Sequence, residues 1–210
     1  MEESSFIFAD NPDDTKTAIL KATFDALAEH GYSNLTIDRI SQYFPKSGGL
    51  VFYHYDKKDE VLLDLLDHLL KRFVEIGTPI SENKSPEDRL RALFVQLLPQ
   101  SDEQQVEKYE IVLAELRMQA AQKSEFRESL TNSQNILCEQ VLDIIYDGID
   151  SGDFRDVNPE AVADFLVALI TGEIFERVTT GGSLPIQSEL DNYIKYRLLK
   201  NNSCSCEKEK

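Results

Sequence analysis

Hydroxyl, phenol, imidazole and ammonium groups are concentrated between Leu35 and Val61, in the stretch LTIDRISQYFPKSGGLVFYHYDKKDEV. All of these groups donate hydrogen bonds, and the ammonium groups also carry positive charge. From position 39 to position 58 cationic side chains outnumber carboxylates, since Asp56 stands against Arg39, Lys46, Lys57 and Lys58. Donors and cations in one short stretch suit the phosphate oxygens of a nucleic-acid backbone.

A short helix opens this stretch. Thr36 is a good N-cap, because its hydroxyl oxygen can accept a hydrogen bond from a free N–H group of the first turn. The apolar residues that follow recur at helical spacing, at Ile37, Ile40 and Phe44. Pro45 cannot continue the helix, since its ring removes a donor and disfavours helical geometry in the preceding residue. The pattern predicts a helix over about 36–43 and then a tight turn.

A second short helix follows the turn. Ser47 is a suitable N-cap, and the helix is predicted to cover Gly48 to Tyr55, with Val51 and one aromatic residue buried. Two short helices joined by a few residues form the arrangement that lets the second enter a DNA major groove. The alternative is a helical hairpin that has no role in DNA binding.

Helical patterns account for the rest of the chain. Apolar residues recur at helical spacing from about residue 14 to Gly31, and again over about 57–76. Capping residues and prolines predict later helices that begin near residues 86, 124, 159 and 186, and a capping box from Ser101 to Gln104 begins another. No segment shows the alternation of a β-strand, so the predicted fold class is all-α.

From Thr15 to Phe73 the chain resembles the TetR family of transcriptional repressors. The resemblance rests on five phrases at matching spacing: His30-Gly31-Tyr32, Thr36, Ile40-Ser41, Phe52-Tyr53-His54-Tyr55 and Lys58-Asp59-Glu60-Val61-Leu62. The region from Gly148 to Gly172 also resembles the corresponding part of such regulators. The resemblance implies a three-helix DNA-binding head, joined by a long helix to a helical body for ligand binding and dimerisation.

The resemblance also implies two sets of DNA contacts. The side chains that would face the phosphate backbone are Thr36, Phe52, Tyr53, His54 and Lys58, with Arg39 in the same positive strip. The residues that would approach base edges are Lys46, Ser47, Gly48, Gly49 and Leu50. Adjacent glycines depart from the family pattern and have no side chains to read bases with. We therefore expect sparse direct readout, with a contribution from DNA shape.

The body is expected to hold a dimer interface and a pocket for a small-molecule effector. By resemblance, the last two long helices would pair with those of a second subunit. The apolar residues that could form this seam are Val162, Phe165, Leu166, Leu169, Leu190, Tyr193, Ile194 and Leu198. Each of them could instead belong to the core of a single chain. The predicted domains are an N-terminal arm (1–14), the head (15–56), the body (57–201) and a disordered tail (202–210).

Candidate effector-binding residues lie on several helices of the body. They are Leu93, Phe94, Leu97, Tyr109, Leu113, Leu116, Arg117, Phe126, Leu137 and Phe175. An apolar lining with Tyr109 and Arg117 nearby would suit a hydrophobic or amphipathic acid. The competing interpretation of such a stripe is ordinary core.

Other classes of function have weaker support in the sequence. The histidines lack the spacing of a metalloenzyme or a nucleophile triad, and no glycine-rich phosphate loop occurs, so we predict no enzymatic activity and no cofactor. Cys204 and Cys206 could supply half of a soft-metal site, but they lie in a polar tail, and we predict no metal. Cys138 is expected to be a small core residue.

The charge balance is strongly acidic, with 38 acidic against 22 basic residues and a net charge of −16. A salt-rich cytoplasm would favour such a surface, and an ordinary acidic protein is the alternative. No apolar run is long enough to span a membrane, and we expect a soluble, cytoplasmic protein. The favoured function is a dimeric repressor that binds a palindromic operator and is released by an effector. The alternative is a helical ligand-binding protein without sequence-specific DNA readout.

Overall fold

A computed structural model describes residues 7–8, 14–77, 84–98, 104–182 and 186–200. The N-terminal helices are α1 (Thr15–Asn34), α2 (Ile37–Tyr43), α3 (Gly49–His54) and α4 (Lys58–Gly77). The later helices are α5 (Pro86–Leu97), α6 (Gln104–Gln119), α7 (Ser124–Asp150), α8 (Pro159–Thr180) and α9 (Ile186–Tyr193), which continues as a π-helical segment (Ile194–Leu198). The described residues contain no β-strand beyond one isolated bridge between Phe154 and Leu199. The predicted all-α class is confirmed.

Side-chain caps fix where several helices begin. The Thr36 hydroxyl accepts from the N–H of Arg39 at 3.2 Å, and Ser85 and Asn158 cap α5 and α8 in the same way. These three predicted starts are confirmed. Each cap satisfies an N–H group that has no partner inside its helix.

The start of α3 differs from the prediction. Gly48, and not Ser47, precedes the helix, and no side chain caps it. Gly48 already has helical backbone angles, so Ser47 contributes its carbonyl oxygen, which accepts from the N–H of Leu50 at 3.0 Å. The reason lies in the packing of α3 on α2, because a Cβ atom on Gly48 would lie 3.1 Å from the Cβ of Ser41.

One hydrophobic core lies beneath α1 to α4 and extends into α6. Leu27, Ile40 and Leu65 are fully buried in it, and the inner face of α6 joins them through Val112 and Leu116. Helix α6 therefore packs directly against the DNA-binding head.

Two residues of the predicted N-terminal arm belong to this core. Ile7 and Phe8 are buried, and the ring of Phe8 stacks on His68 with 4.8 Å between centroids. Within the predicted arm, these two apolar side chains therefore pack with the residues of the head core. The remaining residues up to position 13, like the predicted tail, lie outside the described part of the chain.

A second core is formed by α5, α7, α8 and α9. Phe94, Ile145, Leu166 and Ile194 are fully buried in it. Gly148 on α7 makes room for Phe154, since a Cβ atom at this glycine would lie 2.2 Å from the ring. That close approach anchors the turn between α7 and α8.

The predicted dimer seam includes residues that the chain buries by itself. Five of the eight lie in the second core: Val162, Leu166, Leu190, Ile194 and Leu198. The core of a single chain therefore accounts for the burial of these five residues, which is the alternative that the sequence left open. Phe165 remains exposed, and its ring lies 5.1 Å from that of Tyr193.

Candidate DNA interface and effector cavity

Helix α3 divides its aromatic residues between core and surface. Val51 and Tyr55 are buried, and the Tyr55 hydroxyl donates to Asp64 at 2.8 Å. On the opposite side, Phe52 is 51% and Tyr53 is 84% exposed. The prediction that Val51 and one aromatic residue are buried is confirmed. Large exposed rings are uncommon on a surface without a partner, and here they occupy the outer face of the second helix of a helix-turn-helix.

Hydrogen-bond donors flank these rings. His54 is exposed, and its ring meets that of Tyr53 edge to face, with 5.5 Å between centroids. The exposed Thr36 oxygen accepts from the Arg39 N–H, which leaves the hydroxyl proton of Thr36 available to a phosphate oxygen. These groups lie at both ends of the α2–α3 unit, as contacts to two positions along a DNA backbone require.

The cations of the head fall into two groups. Lys46 and Lys57 are exposed, and neither has a carboxylate partner among the described residues. Arg39 donates to the carbonyl oxygen of Asn34. Lys58 donates to the carbonyl oxygen of Tyr32 at 3.0 Å and lies 4.2 Å from the centroid of its ring. Lys46 and Lys57 are therefore the lysines of the strip most available to phosphate, and Lys58 also has a structural role.

The adjacent glycines differ in their surroundings. Gly48 faces Ser41 on α2, whereas a Cβ atom on Gly49 would meet only the Ser47 hydroxyl, at 3.6 Å. Gly48 thus permits the close packing of α2 and α3, and Gly49 faces open space where a base edge could approach the backbone. Leu50 packs partly against the head core, which limits its reach toward DNA.

A polar cluster connects the head to the body, and we call it the Tyr32 cluster: Tyr32, Lys58, Asp59, Glu115 and Lys123. The Tyr32 N–H donates to the carboxylate of Glu115 on α6, and its hydroxyl donates to Asp59 on α4 at 2.8 Å. Lys123, at the start of α7, lies 2.6 Å from Asp59 and also donates to the Tyr32 hydroxyl. Residues from α1, α4, α6 and α7 thus meet at one point.

Charge pairing decides the protonation of this cluster. Burial raises the pKa of Asp59, but hydrogen bonds from Lys123 and Tyr32 outweigh burial and hold that pKa below its ordinary value. Burial lowers the pKa of Lys123, but the same contacts raise it above its ordinary value. Both groups are therefore charged near neutral pH, and the ion pair is intact.

A cavity lies between α4, α6, α7 and α8, and we call it the inner cavity. Its lining residues are Leu70, Phe73, Leu113, Ala114, Arg117, Ser133, Gln134, Leu137, Val167, Thr171, Ile174 and Phe175. Its volume is about 30 Å³, which is room for about one water molecule. A larger ligand would require the helices or side chains around it to move apart.

Four of the predicted effector-binding residues line the inner cavity: Leu113, Arg117, Leu137 and Phe175. The other six are buried elsewhere in the two cores: Leu93, Phe94, Leu97, Tyr109, Leu116 and Phe126. Tyr109 in particular donates its hydroxyl to the carbonyl oxygen of Leu69 at 3.0 Å. Tyr109 does not line the inner cavity, although it lies close enough to Arg117 to raise the pKa of that guanidinium against the effect of burial.

An outer cleft between α4 and α7 adjoins the inner cavity. Its lining residues are Leu63, Asp67, Leu70, Lys71, Val74, Glu75, Glu125, Glu128, Ser129, Asn132, Ser133 and Ile136, and its volume is about 530 Å³. Leu70 and Ser133 line both spaces and so form the wall between them. Sequence reasoning missed Ser133, Gln134 and Thr171, because polar residues inside long helices give no signal of a cavity.

The described residues contain no group of three or more His, Cys, Asp or Glu side chains that could hold a metal ion. Cys204 and Cys206 lie outside the described part of the chain. None of the helices there has the length and apolar character of a membrane span.

Comparisons with known proteins agree with this geometry. A profile described as bacterial regulatory proteins of the tetR family matches residues 19–65, and a profile described as a BetI-type transcriptional repressor C-terminal region matches residues 86–189. A TetR transcription regulator from Haloarcula marismortui has a crystal structure similar to this one, with a TM-score of 0.80 and 34% identity over 88% of this chain and 98% of that chain. This chain belongs to the TetR family of transcriptional regulators.

Two further proteins are similar to this chain at lower identity. The HTH-type transcriptional repressor AcnR of Corynebacterium glutamicum is 26% identical over 92% of this chain and 97% of its own length. A regulator from Saccharomonospora viridis, solved in complex with choline, is 22% identical with a TM-score of 0.76, over 88% of this chain and 97% of that chain. At that identity the second likeness shows a shared fold alone.

Proposed function

We propose that this TetR-type DNA-binding regulator is a homodimeric repressor that binds a palindromic operator and releases it when a small molecule occupies the body. The observation that carries the proposal is the outer face of α3, where Phe52 and Tyr53 are exposed. The exposed Lys46 and Lys57 stand on either side of this helix in the sequence. Repression as the direction of control is supported by the likeness to a BetI-type repressor region and to AcnR. We place the protein with the genome in the cytoplasm, acting by binding and not by catalysis.

The DNA contacts divide into positioning and readout. Tyr53, His54 and Thr36 offer donors to phosphate oxygens, and Lys46 and Lys57 add positive charge. Base edges would be approached by Lys46, Ser47 and the open backbone at Gly49. Because few side chains reach the bases, specificity depends in part on the shape of the DNA.

Dimerisation is supported by apolar surface that the chain leaves uncovered. Phe165 and Phe175 on α8 and Tyr196 after α9 are large and exposed. Large exposed apolar side chains are typical of an interface between copies of the same chain. A two-fold axis through such an interface would place two heads on successive major grooves of a palindrome.

Release requires a connection between cavity and head, and α6 supplies one. Leu113 and Arg117 of this helix line the inner cavity, and Glu115 between them accepts from the Tyr32 N–H. A ligand that widens the inner cavity would displace α6 and so change the position of the head. The equilibrium would shift toward a head spacing that no longer matches the operator.

Selection of bound duplexes from a random pool, with the full chain at two potassium chloride concentrations, tests the DNA part of this proposal. We expect a palindromic motif at both concentrations, with weaker binding at the higher one. Equal affinity for all duplexes, or none, would overturn sequence-specific binding. In that event the helical ligand-binding protein would be the better interpretation.

A further inference from the structure

Arg117 is a partly buried cation without a counter-ion. Arg117 lines the inner cavity, and none of the ion pairs between described residues includes it. Three other partly buried arginines of the body are paired with carboxylates: Arg89 with Asp147, Arg91 with Glu87 and Arg177 with Glu110. Arg155 has a carbonyl partner instead, the oxygen of Leu199. Arg117 differs from the three paired arginines in the counter-ion that an incoming anion would supply.

Burial acts on the charge of Arg117. Loss of solvent lowers the pKa of its guanidinium, which nevertheless stays protonated because an arginine titrates far above neutrality. A protonated guanidinium that has lost part of its hydration, and has no carboxylate in exchange, gains when a bidentate anion binds. A carboxylate matches its planar pair of N–H donors.

The walls around Arg117 suit such a ligand. Ser133, Gln134 and Thr171 offer neutral hydrogen-bonding groups, and the other lining residues are apolar except Arg117 itself. A cavity with one cation, a few neutral polar groups and apolar walls favours a ligand that has one anionic group and an apolar chain.

The alkyl part of such a ligand could pass from the inner cavity into the outer cleft. Leu70 and Ser133 separate the inner cavity from the outer cleft, whose apolar residues include Leu63, Val74 and Ile136. The inner cavity alone is too small for an alkyl chain. A rotation of Leu70 would join the inner cavity to the outer cleft, so that the anionic group of a ligand lies at Arg117 and its alkyl chain lies between α4 and α7.

We propose that the effector is an amphiphilic carboxylate whose carboxylate group pairs with the Arg117 guanidinium and whose alkyl chain lies in the outer cleft between α4 and α7. This inference rests on the proposed function, because it assigns the ligand of the same body. Acidic side chains outnumber basic ones in the outer cleft, with Asp67, Glu75, Glu125 and Glu128 against Lys71, so the cleft slows the entry of an anion at low salt. A neutral alkyl chain in the cleft and an anionic group beyond it are consistent with this charge.

Calorimetric titration of the full chain with three probes of equal chain length tests the proposal. The probes are decanoate, decan-1-ol and decyltrimethylammonium, each below its micelle concentration at one fixed salt concentration. The proteins are the unaltered chain, Arg117→Gln and, as a matched control, Arg197→Gln, since Arg197 is exposed and lies outside the inner cavity. Decanoate should bind best, and Arg117→Gln should weaken it by about tenfold or more. Arg197→Gln should leave it unchanged.

Four outcomes would overturn the proposal. Equal binding of decanoate and decan-1-ol would mean that no anion site exists. Preference for decyltrimethylammonium would mean that the acidic side chains of the outer cleft select a cation. Unchanged decanoate binding in Arg117→Gln would place the anion elsewhere, and absence of binding by all three probes would exclude this ligand class.

Two added measurements separate this inference from its alternatives. The unfolding temperature without ligand should not fall in Arg117→Gln, because the variant removes a partly buried charge that has no ion-pair partner. A clear fall in the unfolding temperature would assign Arg117 a structural role instead. Duplex selection is independent of decanoate. A recovered motif without decanoate binding would overturn only the ligand assignment, and decanoate binding without a motif would overturn only the proposed function.

Discussion

The backbone N–H of Tyr32 donates to the carboxylate of Glu115, and this contact joins the end of α1 in the head to α6. Gly31 makes it possible, because its φ of 69° turns the chain and a Cβ atom there would lie 3.2 Å from the nearer Glu115 oxygen. The glycine therefore has two functions, a left-handed backbone conformation and close approach of the carboxylate. Movement of α6 reaches the head through this contact.

Removal of the Glu115 carboxylate should loosen that connection. Glu115→Ala leaves the Tyr32 N–H without its partner, and we expect the free energy of unfolding to fall by about 1–2 kcal/mol. Urea denaturation measures the change. Glu139→Ala, at an exposed position of α7, is the control and should alter stability by less than about 0.5 kcal/mol. Equal effects of the two variants would show that the contact contributes nothing specific.

The two exposed lysines beside α3, Lys46 and Lys57, should account for part of the salt dependence of DNA binding. Lys46→Ala and Lys57→Ala should each weaken binding to all duplexes and reduce the slope of log affinity against log salt by about one. Lys84→Ala, exposed and outside the head, should change neither quantity. Binding to a duplex at several potassium chloride concentrations gives the slopes, and an unchanged slope in both head variants would contradict the phosphate assignment.

The adjacent glycines offer a matched pair of substitutions. Gly48→Ala should destabilise the head and weaken DNA binding, because its Cβ would press on that of Ser41. Gly49→Ala has room and should stabilise α3 by about 0.5–1 kcal/mol. Thermal unfolding and DNA binding of both variants test this. Similar changes in stability would mean that α2 and α3 move apart without cost.

Acidification should weaken the Tyr32 cluster. The pKa of Asp59 in the folded protein lies below its ordinary value of 3.8, so its stabilising contribution is present above pH 3.8 and is lost as the pH falls through the folded-state pKa. The Asp59 side chain is 45% exposed, which limits the contribution to about 1 kcal/mol or less. Asp59→Asn should lower stability at neutral pH and flatten its acid dependence. Asp143→Asn, exposed on α7, should do neither.

A charge in the exposed apolar face of α8 should separate the proposed dimer. Phe165→Asp would bury a carboxylate between subunits and should weaken self-association by at least about tenfold. Sedimentation at several protein concentrations measures it. Val95→Asp places the same charge at an exposed position of α5, and a comparable loss there would point to a different interface.

Local signals were sufficient to predict the helix-turn-helix. Thr36 and Pro45 act on their nearest neighbours, so capping and ring geometry locate α2 without knowledge of the fold. The cap predicted at Ser47 is absent, and α3 begins after Gly48. Gly48 packs against Ser41, and this contact depends on two helices at once. Local residue preferences do not include that contact.

The body was predicted less well for a related reason. Helical spacing indicates which face of α5 or α9 is buried, but not what covers it. Phe94 and Leu190 are covered by their own chain, whereas Phe165 is uncovered. The Tyr32 cluster brings together residues up to 91 positions apart, and no sequence pattern relates Tyr32 to Lys123.

The shared core of α6 and the head limits how such a regulator can be recombined. A fragment ending after α4 would leave Leu27, Leu65 and their neighbours facing water where Val112 and Leu116 now pack. Chimaeric regulators that join this head to a foreign sensor should therefore retain α6, or graft its inner face onto the new body. The transferable unit is therefore the three-helix head together with α4 and α6, which share its core.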